Sequence, residues 1–357
     1  MNPMERAPRA RSIRDVAASS GSALARVGGL WLTIAGAMAV FYSLNPAFLN
    51  GPNLLDLIRA TSTLAIVALA QTLVIISGEL DLSIGSTYAL APTVVAVVWI
   101  DHDTGIWVAL AIGLTAGVLV GLINSALAVY AKIPSFIVTL GMLSLVLGLT
   151  QQIGKSRSFT PGFLEPPMPS SQLSVFNGLG ASQPFGIPAQ VIWLMGATLV
   201  FTLLLHRSLF GFRLFAIGGN PNAARVARLP VKRYRTITFV VCAAAAALAG
   251  IIDFSFIGAT QVSTAGSSLT FPVFAAVIIG GASLSGGSGS VLGTLTGALL
   301  LGVLSNGLAF NGVGGGYQLI FTGFITIAAV ALDRWQPGGR LVKLVDRRPS
   351  RADAKGP

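Results

Sequence analysis

The chain has 357 residues, of which 53% are hydrophobic and only 10% charged, and its mean hydropathy is +0.77. Soluble domains carry about 25% charged residues, so this chain could not cover a soluble surface; it reads as an all-α polytopic membrane protein with room for many spans of about 20 residues. Its net charge of +11 would suggest nucleic acid in a soluble protein, but the basic residues are segregated into blocks that membrane topology explains, which argues against a nucleic-acid partner.

Residues 1–26 are rich in Arg, Ser and Ala. They resemble an organelle transit peptide or, on the simpler reading, form a basic cytoplasmic tail. No small-residue cleavage site follows the first apolar run, which argues against a cleaved secretory signal. Ten apolar segments follow, at 27–44, 54–76, 84–100, 106–130, 133–153, 189–206, 236–256, 271–284, 290–310 and 317–333. The eighth is short and glycine-rich. Residues 334–357 form a second basic tail.

An even number of spans places both termini on one side. With that side inside, 20 of the 23 Lys and Arg fall in inner segments: the tails, Lys132 and the loop 207–235. Only Arg59, Lys155 and Arg157 fall outside or at the outer boundary. The positive-inside rule therefore makes both termini and the 207–235 loop cytoplasmic.

Between the second and third spans the chain reads SGELDLSIGS, with Glu79 and Asp81 beside long apolar runs. Ionised carboxylates at the centre of a spanning helix would cost about 2.5–3.5 kcal/mol each. The expectation is a cytoplasmic turn, or a break just inside it, with Asp81 or Ser83 capping the third span. In the loop 207–235, AIGGNPNAARVARLPVKRYR opens on a Gly-Gly-Asn-Pro turn. Asn220 can cap a short helix starting at Pro221, and Ala223, Ala224 and Ala227 give that helix a small face.

Shifting the chain by 180 to 182 residues lays spans 2 to 5 on spans 7 to 10. Pro92 meets Pro272, Gly113 meets Gly293, Gly117 meets Gly297, Asn124 meets Asn306 and Gly141 meets Gly323. Five spans is an odd number, so 27–153 and 189–333 are expected to form a 5+5 inverted repeat, a recurring transporter architecture. Gly113, Gly117 and Gly121 at spacing four allow close helix approach. The stretch IIGGASLSGGSGS (278–290) holds five glycines and four serines. It cannot face lipid as a helix, so its backbone is expected to be buried in protein or to line a cavity.

LDLSIGS, GNPNAARVARLPVKRYR and GGASLSGGSGSVLGTLTGALLLGVLSNGL together resemble the permease subunits of ribose-, xylose- and arabinose-type ABC importers, over residues 55–333. Where such permeases often carry Gly-Ile before the Asp-Leu-Ser, this chain has Glu79-Leu80, which leaves the solute open. The resemblance implies a ten-span fold in the bacterial inner membrane, a homodimer of permease chains and a cytoplasmic ATP-binding subunit. It further implies a periplasmic solute-binding protein, with membrane lipid around the whole. ATP and Mg would be used by the partner subunit, and no cofactor would be bound here. Coupling to the ATPase would fall to Asn220, Pro221, Ala223, Ala224, Arg225 and Arg228. Glu79, Asp81, Ser83, Ser86, Asn124, Ser283 and Asn306 are the candidate pathway or gating residues.

The residues are consistent with that division of labour. The nearest approach to a phosphate-binding loop, IGKS at 153–156, has Leu149 where the first glycine is required. His102 and His206 lie at opposite span ends with no ligand set at metal spacing. The single cysteine, Cys242, allows no intrachain disulfide and reads as a small lipid- or helix-facing residue. Glu79 and Asp81 lack a nucleophile or oxyanion element, which argues against an intramembrane enzyme. An ion-coupled carrier using Glu79, Asp81 or Asp253 stays open as an alternative, though Asp253 reads as a cap or surface charge near an outer span end. A pathway of Ser, Thr, Asn and Gly suits a monosaccharide; an amino acid, nucleoside or polyol is the alternative cargo.

Overall fold

The computed structural model describes residues 13–260 and 265–335, and every regular element among them is helical. The basic tail beyond 335 and the first twelve residues lie outside the described residues. From 13 to 26, where a tail was expected, the backbone is already helical and runs into α1 (Ile13–Leu44).

Asn50 starts α2 (Gly51–Ile76) by accepting from the Asn53 N–H, with Pro52 in the first turn where its missing N–H costs nothing. The helix stops because Gly78 takes a left-handed φ of +82°. The Glu79 N–H then returns to the Val74 carbonyl at 3.1 Å and the Gly78 N–H to Ile75 at 3.0 Å, which is a Schellman closure. α3 (Ile84–Ala96) runs on through a wide π-turn at Val97–Asp101, and α4 (Ile106–Ser125) ends likewise at Ala126–Tyr130. Then come α5 (Ser135–Ile153), α6 (Ser170–Gly180), α7 (Ala189–His206), α8 (Leu209–Gly219) and α9 (Pro221–Val226). The last four are α10 (Val231–Ile257), α11 (Ala265–Ile279), α12 (Val291–Phe310) and α13 (Gly315–Trp335).

Seven helical segments among the described residues are long and apolar enough to cross a membrane: Gly51–Ile76, Ile84–Asp101, Ile106–Tyr130, Ser135–Ile153, Ala189–His206, Val231–Ile257 and Val291–Phe310. Shorter apolar helices accompany them at Gly28–Leu44, Leu209–Gly219 and Leu269–Ile279.

α2 and α10 form the centre. From Thr61 to Ser77 every α2 side chain is buried, whereas α5 and α7 turn Phe136, Leu145, Met195 and Leu199 outward. Lipid tails are as apolar as leucine, so burial alone does not draw helices together in a bilayer; close van der Waals approach does. α4 and α10 achieve it through small residues, since a Cβ on Gly121 would sit 2.8 Å from the Phe239 carbonyl oxygen.

Candidate functional site

At the end of the bundle where α2 stops, three distant stretches meet: Ser77–Glu79, Ile217–Gly219 at the end of α8, and the turn 280–290 between α11 and α12. The Gly287 N–H donates to the Ile76 carbonyl at 2.9 Å, satisfying a group the end of α2 leaves free. Gly218 lies against that junction. A Cβ there would overlap the Ile76 carbonyl oxygen and approach the Gly287 nitrogen to 2.6 Å. The stretch 278–290, expected to be buried in protein or to line a cavity, packs its glycine backbone on α2 and α8 while Ser285 and Ser288 are exposed. Ser283 belongs to its internal bonding: its N–H reaches the Ser288 carbonyl at 3.1 Å and its hydroxyl accepts from the Ser285 N–H at 3.2 Å.

On the same end α8 and α9 project as a capped pair. Ser208 accepts from the N–H groups of Phe210 and Gly211, and Asn220 accepts from Ala223 N–H at 3.0 Å, with Pro221 next. The small face differs from the expected one. Ala224 is buried within this chain, and the outward residues of α9 are Asn222, Ala223, Arg225 and Val226, the last 85% exposed. Arg228 is exposed and turns the chain with φ +56°.

Glu79 pairs with Arg235 of α10 at 2.5 Å, with both side chains largely buried. Asp81 lies deeper. Its carboxylate meets Asn124, six residues and so about 9 Å inside the end of the helical run that closes at Tyr130. The chain therefore turns into the bundle over the irregular residues 79–83 before α3 begins, and Asp81 is fully buried. The anticipated cap of α3 is absent: Ser83 occupies the cap position without a side-chain cap bond. Instead Asp81 Oδ1 accepts from the Ser83 N–H at 2.9 Å and the Ser83 hydroxyl at 2.6 Å. Asn124 Nδ2 donates to the Ser83 oxygen at 2.7 Å and reaches Asp81 Oδ2 at 3.3 Å. Ser86 donates to the Ser83 carbonyl at 2.8 Å, closing the cluster. Burial pushes the Asp81 carboxyl above its ordinary range, against the opposing pull of these donors.

Asn306 is not part of that cluster. It exchanges two hydrogen bonds with Asn53, at 3.0 and 3.1 Å, at the opposite end of α2. Asp253 corrects another expectation, being neither cap nor surface charge. Its carboxylate accepts from the Tyr88 hydroxyl and borders a cavity of about 180 Å³ lined also by Pro92, Gly250, Thr260 and Leu269. A neighbouring cleft of about 600 Å³ joins Asp253 to Asp56, Asn306 and Gln318. Sequence reading missed Tyr88 and Arg235, because the groups they meet are far away along the chain. Among the described residues no three His, Cys, Asp or Glu side chains converge as metal ligands. The arrangement offers a polar interior with two clefts around Asp253, and an exposed capped helix pair at the end where α2 stops.

Residues 53–330 match the family described as the branched-chain amino acid transport system / permease component. The chain is 35% identical over 297 residues to the ribose import permease protein RbsC of Escherichia coli K12, covering 83% of this chain and 90% of that one. With RbsC of Bacillus subtilis 168 the identity is 36% over 294 residues, covering 82% and 87%. With the autoinducer 2 import system permease protein LsrD of Klebsiella pneumoniae it is 34% over 291 residues, covering 82% and 86%.

Proposed function

Because the chain belongs to this permease-component family of ABC importers, as the transmembrane subunit and not the ATPase, we propose that it forms the membrane pathway for a ribose-like monosaccharide. The observation that carries the solute reading is the identity to ribose permeases along nearly their whole length. The likeness to LsrD supports autoinducer 2, a second small polar solute, as the competing cargo.

On this reading the chain is a homodimer in the bacterial inner membrane, fed by a periplasmic binding protein and driven by an ATPase that supplies ATP and Mg. Uptake by the reconstituted system should require ATP and compete with unlabelled ribose. Uptake driven by a proton gradient without ATP would overturn the proposal in favour of an ion-coupled carrier, and competition only by autoinducer 2 would reassign the solute.

The ten-span, 5+5 inverted organisation of 27–333 is part of the proposal. Its support is the exchange of neighbours between the halves. α3 packs on α4, α5 and α10, while α11 packs on α12, α13 and α2; α4 packs on α10 as α12 does on α2. Charge makes the α8–α9 end cytoplasmic, together with both termini. In a Cys242→Ser background, a cysteine at Arg225 should resist an impermeant external label and one at Gly178 should react. The reverse pattern overturns the orientation.

α9 would then couple the permease to its ATPase, with Asn220 and Pro221 setting the helix and Ala223, Arg225 and Val226 facing the partner. Val226→Asp puts a charge on the most exposed apolar side chain of α9, and is expected to abolish stimulation of the ATPase while the permease still assembles. Normal stimulation by that variant would move the coupling surface elsewhere. Glu79, Asp81, Ser83, Ser86 and Asn124 would act in gating at the inner end of the pathway. Ser283 and Asn306 would hold the helices around it.

A further inference from the structure

Beside the Glu79–Arg235 pair, a cavity of about 660 Å³ opens between the α4–α5 turn, α9 and the start of α10. Lys132, Arg225, Lys232 and Arg235 line it, with Glu79 as the sole carboxylate among the lining groups. That carboxylate is bound to Arg235 Nη1, and none of the ion pairs among the described residues includes Lys132, Arg225 or Lys232. Arg235 Nε is buried with no hydrogen-bond partner. The cavity thus holds an uncompensated positive charge, and one of its lining arginines has a buried donor without a partner. Its shape is also held in place: Lys132 sits in a left-handed turn at φ +60°, and the Lys232 ammonium lies 5.1 Å from the centre of the Tyr130 ring.

The wall beside it is apolar. Phe136 and Ile137, directly after the lining Ser135, are 52% and 60% exposed on the outer side of a spanning helix. A free inorganic anion would use the cations and leave that wall unused. We infer that this cavity binds the phosphate headgroup of an anionic phospholipid, whose acyl chains lie on Phe136 and Ile137. Basic pockets between helices at a membrane face attract such headgroups. With Arg225 on α9 and Lys132 on the α4–α5 turn, a bound headgroup would brace the coupling helix against the bundle. The inference uses the membrane placement of the chain and is independent of its solute.

The test uses the full chain purified in detergent, with heat stability and native mass spectrometry as readouts. Phosphatidylglycerol should raise the unfolding temperature and stay bound in the mass spectrum, whereas phosphatidylcholine and inorganic phosphate at equal concentration should do neither. Lys132→Asn with Lys232→Gln should weaken phosphatidylglycerol binding about ten-fold or more; asparagine is chosen because it tolerates the left-handed turn. Lys155→Asn, outside this cavity, should bind as the parent does. If the double variant does not fold, Lys232→Gln alone should show a smaller loss in the same direction. Equal responses to both lipids, a full response to phosphate alone, or undiminished binding by the variants would each overturn the inference.

Discussion

Asp81→Ala is expected to leave no assembled permease in the membrane. The substitution strands the Ser83 N–H and hydroxyl in a fully buried site and removes the longer of the contacts made by the Asn124 amide, which keeps its bond to the Ser83 oxygen. Each buried group left unsatisfied costs about 1–3 kcal/mol, and the ordered re-entry of the chain before α3 depends on all of them. Asp81→Asn should be far milder. Its Oδ1 can accept both bonds from Ser83, and Asn124 can turn its amide so that Oδ1, which has no partner now, faces the new amino group, at the loss of one bond to the Ser83 hydroxyl. The neutral amide also removes the burial cost of a carboxylate. Size-exclusion profiles and solute uptake of the two variants check the result. If asparagine proves as inactive as alanine in a folded protein, the charge at Asp81 is itself required, as a proton relay would demand.

Gly218→Ala is expected to be nearly as damaging, and Gly219→Ala harmless. The two changes are chemically identical and adjacent at the end of α8, where alanine is intrinsically the better helix former by about 1 kcal/mol. A Cβ on Gly218 collides with backbone from two other segments, Ile76 and Gly287, neither of which has a rotamer to change. A Cβ on Gly219 meets only Gly287 Cα, at 4.0 Å. Overpacking against backbone costs about 1–3 kcal/mol, and here it falls where three stretches join. Heat unfolding in detergent should separate the pair by several degrees, with ATPase stimulation lost only for Gly218→Ala. Equal stability of the two would mean that these stretches do not meet as described.

Ala224→Trp would test the seat of α9 in its own chain and not a partner surface. Because Ala224 is buried in its own chain, the bulky side chain would disturb the seat of α9 rather than only its outer face. Substitutions at Val226 are the cleaner probe of a partner surface.

Much of the molecule was written in local pattern. The run 189–206 ends where α7 ends, because length and hydropathy set a span without reference to its neighbours. The Asn220–Pro221 start of α9 and the Gly78 stop of α2 follow from side-chain reach and backbone freedom within a few residues. The charge bias and the family motifs are likewise properties of the chain itself. Other features depended on packing between distant segments. Asp81 and Ser83 look like helix caps on a line of sequence, yet the chain re-enters the bundle before α3 and turns them inward to Asn124. Asp253 resembles a surface charge until Tyr88, 165 residues away, closes over it. Asn306 aligns with Asn124 by sequence shift but binds Asn53, since equivalent positions in two similar segments need not meet equivalent neighbours. Local free energies decide where helices start, stop and enter a membrane, but which side of each helix is hidden is decided by contacts whose partners the chain brings near only when it packs.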